Sequence, residues 1–160
     1  VTTTFRYLIG ASSGRDIRAH LVACDPHFRP PLGGRVAIED YARKLADQAV
    51  TLEAWSGATL VGLVAAYVAD DASTLYISNV SVLPEHTGKG VARTLLQQAA
   101  AHARERGLPA LSLEVSKTSM EALRLYSKLG FRLAEDRGER LLMRFELKTQ
   151  SEGSMDEMTG

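Results

Sequence analysis

The sequence predicts a mixed α/β (α+β) fold: one domain with a central sheet of about seven strands flanked by four helices. Three observations carry that expectation. Runs rich in β-formers alternate with segments of helical period in the order β-α-α-β-β-β-α-β-α-β-β. A strand in the middle of the chain passes through a glycine-containing loop straight into a long helix-like segment. The chain has 160 residues, 45% apolar and 24% charged, which suits one sizeable core in an ordinary water-soluble domain.

The elements follow in order. "TFRYLI" at 4–9 reads as a first strand. Ser12 or Ser13 can cap the next segment, "GRDIRAHLVAC", where Ile17, Leu21 and Val22 recur at helical spacing. "DPHFRPPLGG" at 25–34, with three prolines and two glycines, is a loop. "VAIEDYARKLADQA" is a second helix with Ile38, Tyr41, Leu45 and Ala49 on one face. "VTLEAW", a turn at Ser56 and Gly57, and "TLVGLVAAYVA" make a hairpin. "TLYISNVSVLP" is a further strand, stopped by Pro84.

A long helix is expected over 91–106, burying Leu95, Leu96, Ala99 and Ala103 and stopped by Gly107 and Pro109. "ALSLEV" is a strand. Thr118 and Glu121 have capping-box spacing for the helix "SMEALRLYSKL", which Gly130 ends. "FRLAED" and "RLLMRFEL" close the sheet, joined near Gly138. Residues 1–147 thus form the domain, and the polar, aperiodic 148–160 are expected to be a flexible tail.

Charge and cysteine content narrow the function. Lys+Arg and Asp+Glu number 19 each, so no global field favours nucleic acid or an anionic membrane. Any anion site must be local. A single cysteine, Cys24, excludes an intramolecular disulfide and a multi-thiolate metal site. No apolar run approaches a membrane span, and "VTTTFRYLIG" lacks the order of a signal peptide. A reducing, cytoplasmic setting is expected. His20, His27, His86 and His102 have no metal-ligand spacing, and His102 reads as a helix-surface residue.

"HTGKGVARTLL", at 86–96, is the segment with chemistry in it. The first amides of a helix lack partners in their own helix, and the helix dipole adds positive potential there. Such an end can hold an anion, and Gly88 and Gly90 would let backbone approach it without a Cβ between. Lys89 can add charge. The spacing fits neither the nucleotide P-loop nor the dinucleotide-binding pattern. By itself the segment is equally an anion cradle or a turn that reverses the chain.

"YISNVSVLPEHTGKGVARTLL" followed by "LSLEVSKTSMEALRLYSKLGF" resembles the GNAT superfamily of acyl-CoA-dependent N-acetyltransferases. The second segment is similar to that of ribosomal-protein alanine acetyltransferases. The resemblance covers 75–131 closely and, by element order, 4–147. The family's pyrophosphate motif, Q/R-x-x-G-x-G/A, falls on Thr87, Gly88, Lys89, Gly90, Val91 and Ala92, with Arg93 next. Thr87 stands where Gln or Arg is usual, which shifts the holding to the backbone. The resemblance further implies that Val80, Ser81 and Val82 offer backbone groups to pantetheine. It implies too that this strand and the one after the long helix splay apart around the thioester. Ser119 stands where the family has an asparagine contact to the cofactor.

The implied reaction is attack of an amine on the acetyl thioester of acetyl-CoA, without a metal. The amine must lose a proton, the leaving sulfur gains from a proton donor, and a backbone N–H near Val82 would hold the oxyanion. The resemblance makes Tyr126, in "LYSKLGF", the acid. Glu114, in "LSLEV", 12 residues earlier, is the candidate base; its other reading is an ion pair with Arg or Lys. Tyr76, Ser78 and Asn79 are expected to line the same cleft, and His27 or Phe28 is a candidate acceptor contact. The expected partner is a small-molecule or peptide amine; a homodimer is compatible. The competing readings are a non-catalytic acyl-CoA sensor, or an enzyme using another acyl group.

Overall fold

The computed structural model describes residues 4–28 and 35–147. The tail at 148–160, most of the proline loop and the side chain of His27 fall outside the described residues. The expected seven strands and four helices are present: β1 Arg6–Ile9, α1 Gly14–Cys24, α2 Arg35–Gln48, β2 Val50–Ser56, β3 Thr59–Val68, β4 Leu75–Val82, α3 Val91–Glu105, β5 Ala110–Ser116, α4 Met120–Leu129, β6 Arg132–Asp136 and β7 Arg140–Glu146. Single 3₁₀ turns at Asp25–His27 and Pro84–His86 add to the expected set. The sheet order is β1-β2-β3-β4-β5-β7-β6. Among the described residues, no helix is long and apolar enough to cross a membrane.

Chain contacts separate two units, Val1–Tyr67 with Ile77–Leu96, and Val68–Tyr76 with Gln97–Gly160. In the first, β2 pairs antiparallel with both β1 and β3. The β2–β3 turn falls one residue later than expected, because Ser56 still pairs with Thr59. Gly57, at φ +59°, takes the left-handed bend that a side chain would resist. Ser13 caps α1 in a reciprocal capping box with Asp16. The core packs Ile17, Leu21, Ile38, Ala42 and Leu45 of α1 and α2 on Trp55, Leu60, Leu63 and Ala65 of the sheet. Burying each large aliphatic side chain contributes about 1.5–3 kcal/mol. Phe28, a candidate acceptor contact, packs against this core.

Helix α3 sits close on β3 because residue 62 is glycine. A Cβ there would lie 2.5 Å from Val91 Cγ1 and 3.2 Å from Leu95 Cδ1.

In the second unit, β7 pairs antiparallel with β5 and β6. Helix α4 ends as expected at Gly130, which adopts φ +112°. A Cβ on Gly130 would meet Phe145 Cε2 at 2.9 Å, so both conformation and space demand glycine. The expected capping box at the start of α4 does not form. Ser119 is the N-cap, without a side-chain cap hydrogen bond, and the Thr118 hydroxyl pairs with Ser116 Oγ at 2.9 Å. The local Ser116–Thr118 turn outcompetes the cap. His102 is half-buried, with Nε2 shielded from solvent, and is not the surface residue its spacing suggests.

Candidate active site

Within the first unit the loop after β4 is shaped by two glycines. Gly88 and Gly90 both lie at φ +79°, in the left-handed region. A Cβ built at either would meet nothing within 4 Å, so both open onto free space. Thr87 to Gly90 are exposed. Gly90 O accepts from Thr94 N at 3.0 Å, which starts α3. The amides of Val91, Ala92 and Arg93 therefore occupy the first turn, where a helix cannot satisfy its own donors. Thr87 is engaged locally, its Oγ1 donating to Pro84 O at 2.9 Å. Lys89 Nζ lies 3.2 Å from His86 Nδ1. These contacts leave the backbone as the element suited to an anion.

Strand β4 alternates along its length. Leu75, Ile77, Asn79 and Ser81 are buried, while Tyr76, Ser78, Val80 and Val82 are half-buried. Asn79, expected in a cleft, instead joins a buried polar group with Ser81 and His20. Tyr41 Oη, from α2, lies 2.6 Å from Ser78 Oγ. Burial pushes the Tyr41 phenol above its ordinary range, against its hydrogen bonds with Ser78 and Asn79.

Within the second unit, Tyr126 lies on the buried face of α4, 7% exposed. Its ring packs on Phe131 at 5.6 Å between centroids. Its carbonyl accepts from Gly130 N and Phe131 N, the helix-ending pair that holds this turn. Burial pushes its phenol up to about 12, with Arg140 pulling the other way. The hydroxyl therefore keeps its proton at neutral pH.

Glu114 is 25% exposed and ringed by cationic partners. Arg137 Nη1 is 3.4 Å from Oε2, and Arg140 Nε is 3.8 Å from Oε1. Tyr76 Oη donates to Oε2 at 3.4 Å. The structure thus brings Glu114, Tyr76 and two arginines together. Ser119 stands at the N-cap of α4. Among the described residues no cluster of metal-ligating side chains occurs.

Two buried polar residues were given no role from sequence, and the partners of Glu114 were not identified there. His20 is 3% exposed on α1, in the apolar stripe of Ile17, Leu21 and Cys24, and that position was a readable signal. Glu53 is fully buried between Leu52 and Ala54 in β2, an equally readable signal. The pairing of Arg137 and Arg140 with Glu114 depends on strand register and has no local signal.

The model of the acetyltransferase (GNAT) family matches residues 15–131, which takes in the glycine loop and Tyr126. The chain belongs to the GNAT acetyltransferase family. It is similar to the streptothricin acetyltransferase of Streptomyces lavendulae, 44% identical over 57 residues, 36% of this chain and 30% of that protein. It spans less than half the length of the curated relatives it matches. Its fold matches the PaiA N-acetyltransferase of Thermoplasma acidophilum, solved in complex with coenzyme A: TM-score 0.71, 19% identity, 88% of this chain and 99% of that one. It also matches the ribosomal-protein-S18-alanine N-acetyltransferase of Escherichia coli, with TM-score 0.69, 19% identity and coverage of 90% and 96%.

Proposed function

We propose that this chain is an acetyl-CoA-dependent N-acetyltransferase, moving an acetyl group to a primary amine by direct attack in a ternary complex. The family match over residues 15–131 carries the reading, because it spans both the glycine loop and Tyr126. The open backbone at Gly88 and Gly90 fits a pyrophosphate held by amides from Gly88 to Ala92, with Thr87, Lys89 and Arg93 beside it. Backbone groups of Val80, Ser81 and Val82 serve pantetheine as an added strand would. Ser119 takes the place of the family's asparagine near the cofactor.

Acetyl-CoA supplies the activated acyl group. The amine nitrogen bonds the carbonyl carbon, a backbone N–H near Val82 holds the oxyanion, and the carbon–sulfur bond breaks. Tyr126 donates to the departing sulfur. A thiol ordinarily titrates at about 8.5, well below a phenol at about 12. Tyr126 therefore serves as a hydrogen-bond donor that need not surrender its proton fully. Glu114 receives the amine's proton through water, since its own oxygens are shared with Arg137, Arg140 and Tyr76.

The test is release of free CoA thiol from acetyl-CoA across a panel of small and peptide amines, with binding followed by calorimetry. The reading expects release with at least one amine. Binding without release for every amine favours a sensor instead, and no binding at all overturns both.

A further inference from the structure

The β6–β7 hairpin of the second unit brings two arginines to Glu114, and they are not equivalent. Arg137 is spent. Its Nε and Nη2 donate to Glu135 Oε2 at 3.2 and 3.1 Å, and its Nη1 sits 3.4 Å from Glu114 Oε2. Two nearby cations are engaged as well, Lys117 by Asp136 at 2.9 Å and Arg144 by Glu146. Arg140 makes a single hydrogen bond among the described residues, from Nη2 to the Glu114 carbonyl at 3.2 Å. Its Nε lies 3.8 Å from Glu114 Oε1, close enough for charge attraction but too long for a hydrogen bond. A guanidinium has five N–H donors. With one of them used, Arg140 retains the donors for two parallel bonds to a carboxylate.

Arg140 is also well placed. It stands opposite Ser116 in the β5–β7 register, and its carbonyl accepts from Arg137 N at 2.9 Å, which closes the hairpin. Its side chain is 44% exposed and so open to a ligand. Its charge reaches both groups proposed for proton transfer. One is Glu114. The other is Tyr126, whose phenol burial pushes up to about 12 while Arg140 pulls it back. An anion seated on Arg140 lies beside the base and within Coulombic range of the acid.

Charge then limits what can enter. Two guanidiniums beside Glu114 repel an acceptor that is cationic throughout, such as a polyamine. An acceptor with its own carboxylate cancels that repulsion. In an α-amino acid a single carbon separates the carboxylate from the amine, so a carboxylate held on Arg140 delivers the amine next to Glu114.

We propose that Arg140 is a specificity-determining residue that takes the carboxylate of the acceptor, and that the acceptor is an α-amino acid. The amine part rests on the acetyltransferase reading; the carboxylate site on Arg140 does not.

Matched acceptors test the amine part. Common α-amino acids are compared with the amino alcohols formed by reducing their carboxylates, which keep the carbon skeleton and a similar amine basicity. The wild type should show kcat/KM about tenfold or more higher for the best amino acid than for its alcohol, the effect of a charged hydrogen-bonded pair. In Arg140→Gln that preference should shrink to within about twofold. Arg137→Gln removes the same charge from beside Glu114 and should keep the preference. Absence of a preference in the wild type overturns the proposal. So does an equal loss on both acceptors in Arg140→Gln, which would make Arg140 only a support for Glu114, and so does loss of the preference in Arg137→Gln. Calorimetry of the same amino acid on the full chain saturated with CoA reads the site without turnover. Affinity should fall about tenfold in Arg140→Gln, and equal affinity overturns the carboxylate site. If the wild type turns over no amine, the acetyltransferase reading falls and takes the amine part with it, and calorimetry still decides the site on Arg140.

Discussion

Two strand glutamates, Glu53 in the first unit and Glu114 in the second, answer the same physical problem in opposite ways. Glu53 is 0% exposed. Its Oε1 accepts from Ala11 N at 3.1 Å and Trp55 Nε1 at 3.0 Å. Its Oε2 accepts from Ser12 N at 3.1 Å, Ser12 Oγ at 2.6 Å and Thr51 Oγ1 at 2.7 Å. Every donor is neutral and short, and together they tie the loop before α1 to β2. Glu114 is 25% exposed, with contacts of 3.4–3.8 Å to two arginines and a tyrosine. A carboxylate saturated by fixed donors is a structural clamp. One with long, half-exposed partners has capacity left for water and substrate.

The difference can be broken most forcefully at Glu53. Glu53→Gln keeps the shape but turns one oxygen into a donor facing other donors. It should cost about 3 kcal/mol in urea unfolding, as two or more buried donors lose their acceptor. A loss under about 1 kcal/mol would mean the clamp is ornamental. Next comes Glu114→Gln, which should leave stability within about 1 kcal/mol because its partners are exposed ion pairs. Turnover should fall about a hundredfold, and most at low pH, where free amine is scarce. A small loss that is uniform with pH would make Glu114 a second clamp and erase the contrast. Smallest is Ser12→Ala, which removes only the shortest donor to Glu53. It should cost about 1 kcal/mol by thermal unfolding, with the rate of CoA release unchanged.

A pH titration sharpens the same contrast between buried and open groups. His20 sits below its ordinary value when folded, so its contribution to stability is present above about pH 6.5 and is lost as the pH falls further. His20→Phe should flatten that acid limb in thermal unfolding; an unchanged limb would place the acid sensitivity elsewhere.

Much of the fold was legible because its signals are local. The stripe of Leu95, Leu96, Ala99 and Ala103, the stop at Gly130 and the cap at Ser13 are set by residues a few positions apart. The failures arose where a neighbour competed. Thr118 had the spacing of a cap, but Ser116 lay two residues away and bonded it first. Of the candidate site, the Gly88 and Gly90 loop and Tyr126 were singled out from motif and family. Glu53 obeyed the same rule that singled out Glu114, that a carboxylate in a strand needs a reason, and only the structure separates the two reasons. The buried polar group of His20, Ser81 and Asn79 joins residues up to 61 positions apart. Its members lie on α1 and β4, so no window of sequence contains it.

Tyr126→Phe tests the acetyltransferase account most directly. Acetyl-CoA affinity by calorimetry and CoA thiol release with the best amine should be measured on both proteins. Loss of the donor to the departing sulfur should lower turnover about a hundredfold while affinity stays within about twofold. Unchanged turnover would remove Tyr126 from the chemistry, and a wild type that neither binds acetyl-CoA nor releases CoA would contradict the account as a whole.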